Sequence, residues 1–167
     1  MILKELDKSY IRDMVRLYLS AYEGLEEYSY DHPSDAEDYI NWLFARDSDG
    51  IIGAFDNKEL VGFICIDKHW YSKRERKTLG AIHELVVAKA YRRKGIATKL
   101  VNRALELFRE NGLDSTELWA GVNNLAAIKL YEKLGFEARE RYGKWVRMVS
   151  NLSFGELRGE LLKNTAP

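Results

Sequence analysis

"HELVVAKAYRRKGIATKLV", residues 83–101, decides how this chain is read. It opens as an apolar, strand-like run, passes through Arg92, Arg93, Lys94 and Gly95, and continues as an amphipathic helical pattern. A strand that enters a helix through basic residues and glycine is suited to phosphate for three reasons. The first amides of a helix lack intrahelical acceptors, and the aligned peptide dipoles leave about half a positive charge there. Gly95 and Ala97 carry little or no side chain, so a phosphate oxygen can approach the backbone closely. Arg92, Arg93 and Lys94 add charge that pairs with phosphate oxygens. No GxxxxGK[ST] loop and no GxGxxG fingerprint occurs, so neither a P-loop nor a dinucleotide site is indicated. The alternative reading of the same residues is a solvated basic turn.

Working outward, Gly95 to Asn111 is the most periodic helix in the chain. Ile96, Leu100, Val101, Ala104, Leu105 and Phe108 share one face, and Gly112 supplies the stop. "LGAIHELVVA" before it and "TELWAG" after it read as strands. This strand–helix–strand unit predicts two parallel strands with a right-handed crossover. Toward the N-terminus, Ile2–Leu6 reads as a strand and Ser9–Tyr22 as a helix. "SDAE", Ser34 to Glu37, has the pattern of a capping box opening a second helix to about Arg46. "GIIGAF" and "LVGFICI" are strands split by a turn at "DNKE", and "WYSKRERK" is a polar connection. Toward the C-terminus come a helix over Asn124–Leu134 stopped by Gly135, and a hairpin of "FEARERY" and "KWVRMVSNL" turning at Gly143. A short helix is expected over Phe154–Lys163. The order βααβββαβαββ predicts an α/β (α+β) fold, with helices on a mixed, mostly antiparallel sheet that holds one parallel pair.

Composition bounds the function classes. At 167 residues the chain reads as one domain, residues 1–167, with 46% hydrophobic and 31% charged residues, as expected of a globular protein. The formal net charge is +0, so no global field draws it to nucleic acid or membrane. Lys73 to Lys77 ("KRERK") interleaves charges and reads as a solvated connection. The single cysteine, Cys65, excludes an internal disulfide and sits in an apolar strand pattern, where it reads as a small core residue. No His, Cys, Asp or Glu group has metal-ligand spacing, so no metal is expected. No apolar run is long enough to span a bilayer, and the charged N-terminus is unlike a signal peptide; the expected location is cytoplasmic.

Two motifs within residues 82–136 resemble the GNAT acetyltransferases, the acetyl-CoA-dependent N-acyltransferase superfamily. "RRKGIA" matches that family's Arg/Gln-x-x-Gly-x-Gly/Ala signature, with Ala97 in the place of the second glycine. "NNLAAIKLYEKLGF" is similar to its Asn-x-x-Ala-x-x-x-Tyr-x-x-x-Gly-Phe pattern, here Asn124, Ala127, Tyr131, Gly135 and Phe136. The resemblance implies helices on both faces of the sheet and acetyl-CoA as co-substrate. It implies that the two parallel strands splay apart, so that the pantetheine arm pairs with the backbone of Leu85, Val86 and Val87. The pyrophosphate is then expected over Arg92, Arg93, Lys94, Gly95, Ile96, Ala97 and Thr98. Asn124 and Ala127 are expected on the cofactor side of their helix, although Asn124 also reads as a plain N-cap.

Acetylating an amine requires proton transfers, because an alkylammonium titrates near 10 and must lose a proton before attack. The resemblance implies Tyr131 as the acid for the departing thiolate and the Val87 N–H as an oxyanion donor. Glu84 is the candidate base, since a carboxylate inside an apolar strand is costly unless paired or facing a cleft, and burial raises its pKa. Its alternative is a salt bridge on an open sheet face. Strand alternation sends His83 to the opposite face unless a bulge intervenes, which ranks it second. Residues 22–39 hold seven carboxylates and no lysine or arginine. Glu26, Glu27, Tyr30 and Asp31 are therefore candidates for binding a cationic acceptor: a polyamine, a lysine side chain or a peptide amine. A homodimer is left open. The competing class is a non-catalytic acetyl-CoA-binding sensor of the same fold.

Overall fold

The structure, a computed structural model, describes residues 1–152; the helix expected over Phe154–Lys163 lies outside the described residues. The elements are β1 (Ile2–Glu5), α1 (Ile11–Ala21), α2 (Pro33–Arg46), β2 (Ile51–Asp56), β3 (Glu59–Ser72), β4 (Lys77–Val87), α3 (Ile96–Glu110), β5 (Ser115–Gly121), α4 (Leu125–Lys133), β6 (Glu137–Tyr142) and β7 (Trp145–Asn151). Their order is the one expected. The seven strands form one sheet in the order β1-β2-β3-β4-β5-β7-β6, and only β4 and β5 pair in parallel.

Alternation along the strands divides the core between two helix layers. Ile64 and Ile66 of β3 pack with Leu100, Val101 and Phe108 of α3. Phe63 and Cys65, one residue out of phase, pack with Met14 and Tyr18 of α1 and Ile40 and Leu43 of α2. Helices therefore cover both faces, and Cys65 is a buried core residue. The turn between β2 and β3 is Asn57-Lys58, with Asn57 at φ 54°, a conformation asparagine tolerates.

Three local expectations need correction. Pro33 occupies the first turn of α2, so the cap falls two residues earlier, at His32 instead of Ser34: the His32 side chain accepts the Ser34 N–H at 3.2 Å. Only half of the polar "WYSKRERK" is a connection, because β3 runs on to Ser72, β4 begins at Lys77 and only residues 73–76 turn. Its Trp70 and Ser72 are held there by hydrogen bonds to Glu117 across the sheet, at 2.9 and 3.0 Å. Finally, β4 does not alternate uniformly. Cys65 pairs with Glu84 while Ile66 pairs with Ile82, so His83 is an extra residue in β4, a bulge.

The feature that positions the site is the parallel pair. Only Gly80–Ile82 and Thr116–Leu118 are in register; beyond them β4 continues to Val87 and β5 to Gly121 without pairing. The register Phe63↔Val86 and Cys65↔Glu84, together with Ala88 N–H donating to the Val61 carbonyl at 2.8 Å, sets the phase of the β3–β4 ladder. In that phase the Leu85 and Val87 amides face the gap between β4 and β5.

Candidate active site

The diverging strands open into a cavity of about 940 Å³, bounded by β4, β5, α4, the α1–α2 connection and the β6–β7 turn. Glu84, Leu85, Asn124, Ala127 and Tyr131 all line it. Val86 turns its side chain into the α1–α2 core and, in the ladder phase above, its backbone N–H and carbonyl toward Phe63 of β3, so it presents no polar group to the gap.

Glu84 is 8% exposed. Its carboxylate receives the Tyr22 hydroxyl at 2.6 Å, the Tyr39 hydroxyl at 3.1 Å and the Leu85 N–H at 3.2 Å. Burial raises its pKa to about 7, against the opposing pull of those three donors. Both phenols stay protonated donors, because burial and then the Glu84 charge push their own pKa values up. Tyr131 is pushed up in the same way, by burial and by Glu84. Its ring packs edge-on against Phe136, with centroids 5.6 Å apart.

The bulge is the exception that alternation left open: His83 packs on Trp42 of α2, the layer whose Tyr39 donates to Glu84, and both His83 and Glu84 line the cavity. His83 Nε2 lies 3.1 Å from Asp67 Oδ2, which also accepts Arg46 Nε–H at 2.8 Å. Burial works to raise the Asp67 pKa, but hydrogen bonds from His83, the His69 N–H and Arg46 outweigh it and hold the group at about 2.

The turn after β4 places Arg93 at φ 60° and Gly95 at φ 79°. Gly95 caps α3 without a side chain, and a Cβ there would meet nothing within 4 Å. The first helical bond is Lys99 N–H to the Gly95 carbonyl, 3.1 Å, which leaves the Ile96, Ala97 and Thr98 amides without helical acceptors. Ile96 offers only its backbone, since its side chain is core. The Arg92 guanidinium is committed elsewhere. It donates to the Ala21 carbonyl at 2.8 Å and the Val87 carbonyl at 3.3 Å, tying the end of α1 to β4. Lys94 lies over the Tyr91 ring. Asn124 caps α4, accepting the Ala127 N–H at 3.4 Å, and also faces the cavity.

The four sequence candidates for acceptor binding separate. Glu27 and Tyr30 line the cavity; Glu26 and Asp31 do not. The Glu26 carboxylate accepts the Gly24 N–H at 2.8 Å, and Glu23 is paired with Lys89 at 2.9 Å. Arg74 and Lys144 also line the cavity, so its walls carry both signs of charge. Tyr22 and Tyr28 also line the cavity, but both are engaged within the protein. Tyr22 serves Glu84, and Tyr28 is buried directly over Gly121, where a Cβ would come within 2.6 Å of its ring. Its hydroxyl accepts the Asn123 N–H at 2.9 Å. Sequence reading missed Tyr39, Asp67 and Trp119 in the site region. Tyr39 reaches Glu84, Asp67 reaches His83 and Trp119 lines the cavity, each from an element whose distance in the chain conceals it.

Among the described residues no helix is long and apolar enough to cross a membrane, and no cluster of three metal-ligating side chains occurs. Residues 11–136 match the acetyltransferase (GNAT) family. An uncharacterized N-acetyltransferase of Archaeoglobus fulgidus is 41% identical over 131 residues, covering 78% of this chain and 89% of that protein. One of Methanocaldococcus jannaschii is 37% identical over 150 residues; these span 90% of this chain but 66% of that relative's length. A crystal structure from Pyrococcus horikoshii OT3 superposes with a TM-score of 0.82 at 41% identity, covering 90% of this chain and 97% of that one. At 24% identity the NatC complex bound to Gag peptide and CoA shares the fold, with a TM-score of 0.73 over 90% of this chain and 97% of the matched one. A splayed parallel pair, a glycine-capped α3 and a match across most of the domain agree, and the chain belongs to the acetyltransferase (GNAT) family.

Proposed function

We propose that this chain transfers an acetyl group from acetyl-CoA to a primary amine, directly within a ternary complex. The observation that carries the reading is Glu84, a buried carboxylate with a pKa of about 7 at the gap between β4 and β5, facing the same cavity as Tyr131. Acetyl-CoA laid into the gap meets the Val87 amide, and its pyrophosphate meets the amides of Ile96 to Thr98. The bound cofactor supplies the thioester. Glu84 takes the first proton from the ammonium, the Val87 N–H stabilises the oxyanion, and Tyr131 donates to the departing thiolate.

Proton matching favours one amine class. A peptide α-ammonium titrates near 7.7–8.0 and a lysine ε-ammonium near 10.4. Transfer to a carboxylate at about 7 is uphill by about one unit for the first and more than three for the second. The preferred acceptor is therefore the α-amine of a peptide. Cavity walls of both charge signs suit such a chain better than a polycation.

Release of free thiol from acetyl-CoA tests this against a panel of a short peptide, an Nα-blocked lysine peptide and spermidine. The peptide α-amine is expected to give the highest kcat/KM; no release with any amine would return the chain to a sensor role. In the same assay Tyr131→Phe is expected to lower kcat by about tenfold to a hundredfold, the low end for general acid catalysis. Unchanged kcat would leave Tyr131 a packing residue. Gly95→Glu, which forces a side chain and a negative charge into a left-handed position at the amide cluster, is expected to abolish the melting shift given by acetyl-CoA. A full shift would move the phosphate site elsewhere.

A further inference from the structure

The reaction removes two protons from the acceptor nitrogen, and Glu84 accounts for only the first. We infer that His83 is the second proton acceptor, taking the proton from the cationic nitrogen formed when the amine attacks the thioester. The inference rests on the acetyl-transfer reading above. Its observations are the bulge that turns His83 into the Glu84 cavity and the Asp67 carboxylate that orients its ring.

Bulges re-aim a side chain at the expense of one unpaired ladder position. Here the effect is that two consecutive residues of one strand, which alternation would send to opposite faces, meet one cavity. The His83 ring is fixed on three sides. Trp42 of α2 and Trp70 of β3 pack against it with centroids 5.2 and 5.0 Å away, and Asp67 of β3 holds Nε2. Asp67 is fully buried and ionised, with Arg46 Nε and the His69 N–H as its other donors. An ionised carboxylate can only accept, so Nε2 carries hydrogen and the neutral ring keeps its lone pair on Nδ1. Nδ1 has no hydrogen-bond partner among the described residues. A proton arriving at Nδ1 makes an imidazolium already paired with Asp67.

The other polar groups around the ring do not substitute for it. Arg46 of α2 is committed to Asp67, and Glu117 of β5 to Trp70, Ser72 and Arg147. Tyr39 of α2 donates to Glu84 and lies within reach of the His83 carbonyl. Glu84, the remaining neighbour, already holds the first proton when the second must leave.

The balance closes. Glu84 takes a proton from the ammonium, and the nitrogen lone pair forms the N–C bond as the carbonyl π pair moves to oxygen. His83 Nδ1 takes the proton now on the cationic nitrogen. The oxyanion re-forms the carbonyl and expels the thiolate, which takes the Tyr131 proton, and the tyrosinate is reprotonated from Glu84. One proton remains on His83 and passes to solvent, giving amide, coenzyme A thiol and one proton.

The test is His83→Ala with and without added imidazole, followed by thiol release and by the acetyl-CoA melting shift. The expected result is kcat lowered about tenfold to a hundredfold with acetyl-CoA KM within about twofold, and a recovery of kcat that rises with the imidazole free-base concentration. A structural role predicts no recovery. His83→Gln, which keeps a donor for Asp67 and much of the volume but no basic nitrogen, is expected to match His83→Ala in kcat while melting like the wild type. Wild-type kcat in either variant, or a loss in folded His83→Ala that imidazole does not restore, overturns the inference. Absence of thiol release by the wild-type chain instead overturns the acetyl-transfer reading itself.

Discussion

Glu84→Gln is expected to lower kcat by about 10²–10⁴-fold, the range for losing a general base, while leaving the acetyl-CoA melting shift within about a degree. The glutamine carbonyl can still accept from Tyr22 or Tyr39, so the cavity keeps its shape and loses only its proton acceptor. In the wild type, kcat/KM for the amine should rise with pH through an apparent pKa of about 7, and that limb should vanish in the variant. Stability carries the same signature with a definite sign. The folded-state pKa lies above the ordinary glutamate value of 4.5, so between pH 4.5 and 7 the folded chain holds more protons than the unfolded one. Wild-type stability therefore falls as pH rises through that window, by roughly 3 kcal/mol in all, and Glu84→Gln escapes this loss. Denaturant melts at pH 5 and pH 8 check it. A wild-type minus variant difference that does not change with pH would mean that Glu84 is not buried as a titrating acid.

The parts of this site legible in the sequence are those whose partners are close in the chain. The Gly95 turn, the α3 stripe and the Asn124 cap each depend on residues within a few positions, so local chemistry and period disclose them. The parallel β4–β5 pair follows from one short crossover. What was hidden depends on register or on long-range packing. Whether His83 faces Glu84's cavity turns on one unpaired residue opposite β3, which no pattern within β4 alone reveals. The donors that tune Glu84, Tyr22 and Tyr39, lie 62 and 45 positions away in the chain, at the end of α1 and within α2. Arg92 sits in the signature where a phosphate ligand is expected, yet its side chain follows the carbonyl left open at the end of α1. The acidic run of residues 22–39 was informative about location but not about field. Its Glu23 and Glu26 are already engaged, and only Glu27 among its carboxylates reaches the cavity.

Arg147→Met is expected to destabilise the fold by about 3–5 kcal/mol, because it breaks a buried ion cluster from one side only. The Arg147 side chain is 3% exposed and meets Glu117 and Glu75 at 2.8 Å each. It also grips Glu140 with two hydrogen bonds, at 2.6 and 3.0 Å. Removing it leaves the Glu117 carboxylate buried with, among the described residues, the Trp70 and Ser72 donors alone. For a domain of this size each kcal/mol moves Tm by about 2–4 °C, so a drop of about 10 °C is the expected reading. Adding Glu117→Gln removes the stranded charge, and the double variant should melt above Arg147→Met alone. The cluster also clasps the β3–β4 turn, through Glu75, to β7, and through Arg74 and Glu140, 3.7 Å apart, to β6. Arg74 lies over Trp119 and lines the cavity, on the side where the proposed reading puts the amine. Loosening that turn should therefore raise the KM for the amine more than that for acetyl-CoA, measured below the lowered Tm. A Tm within about 2 °C of wild type would mean that the cluster is solvated and the turn holds its place by backbone pairing alone.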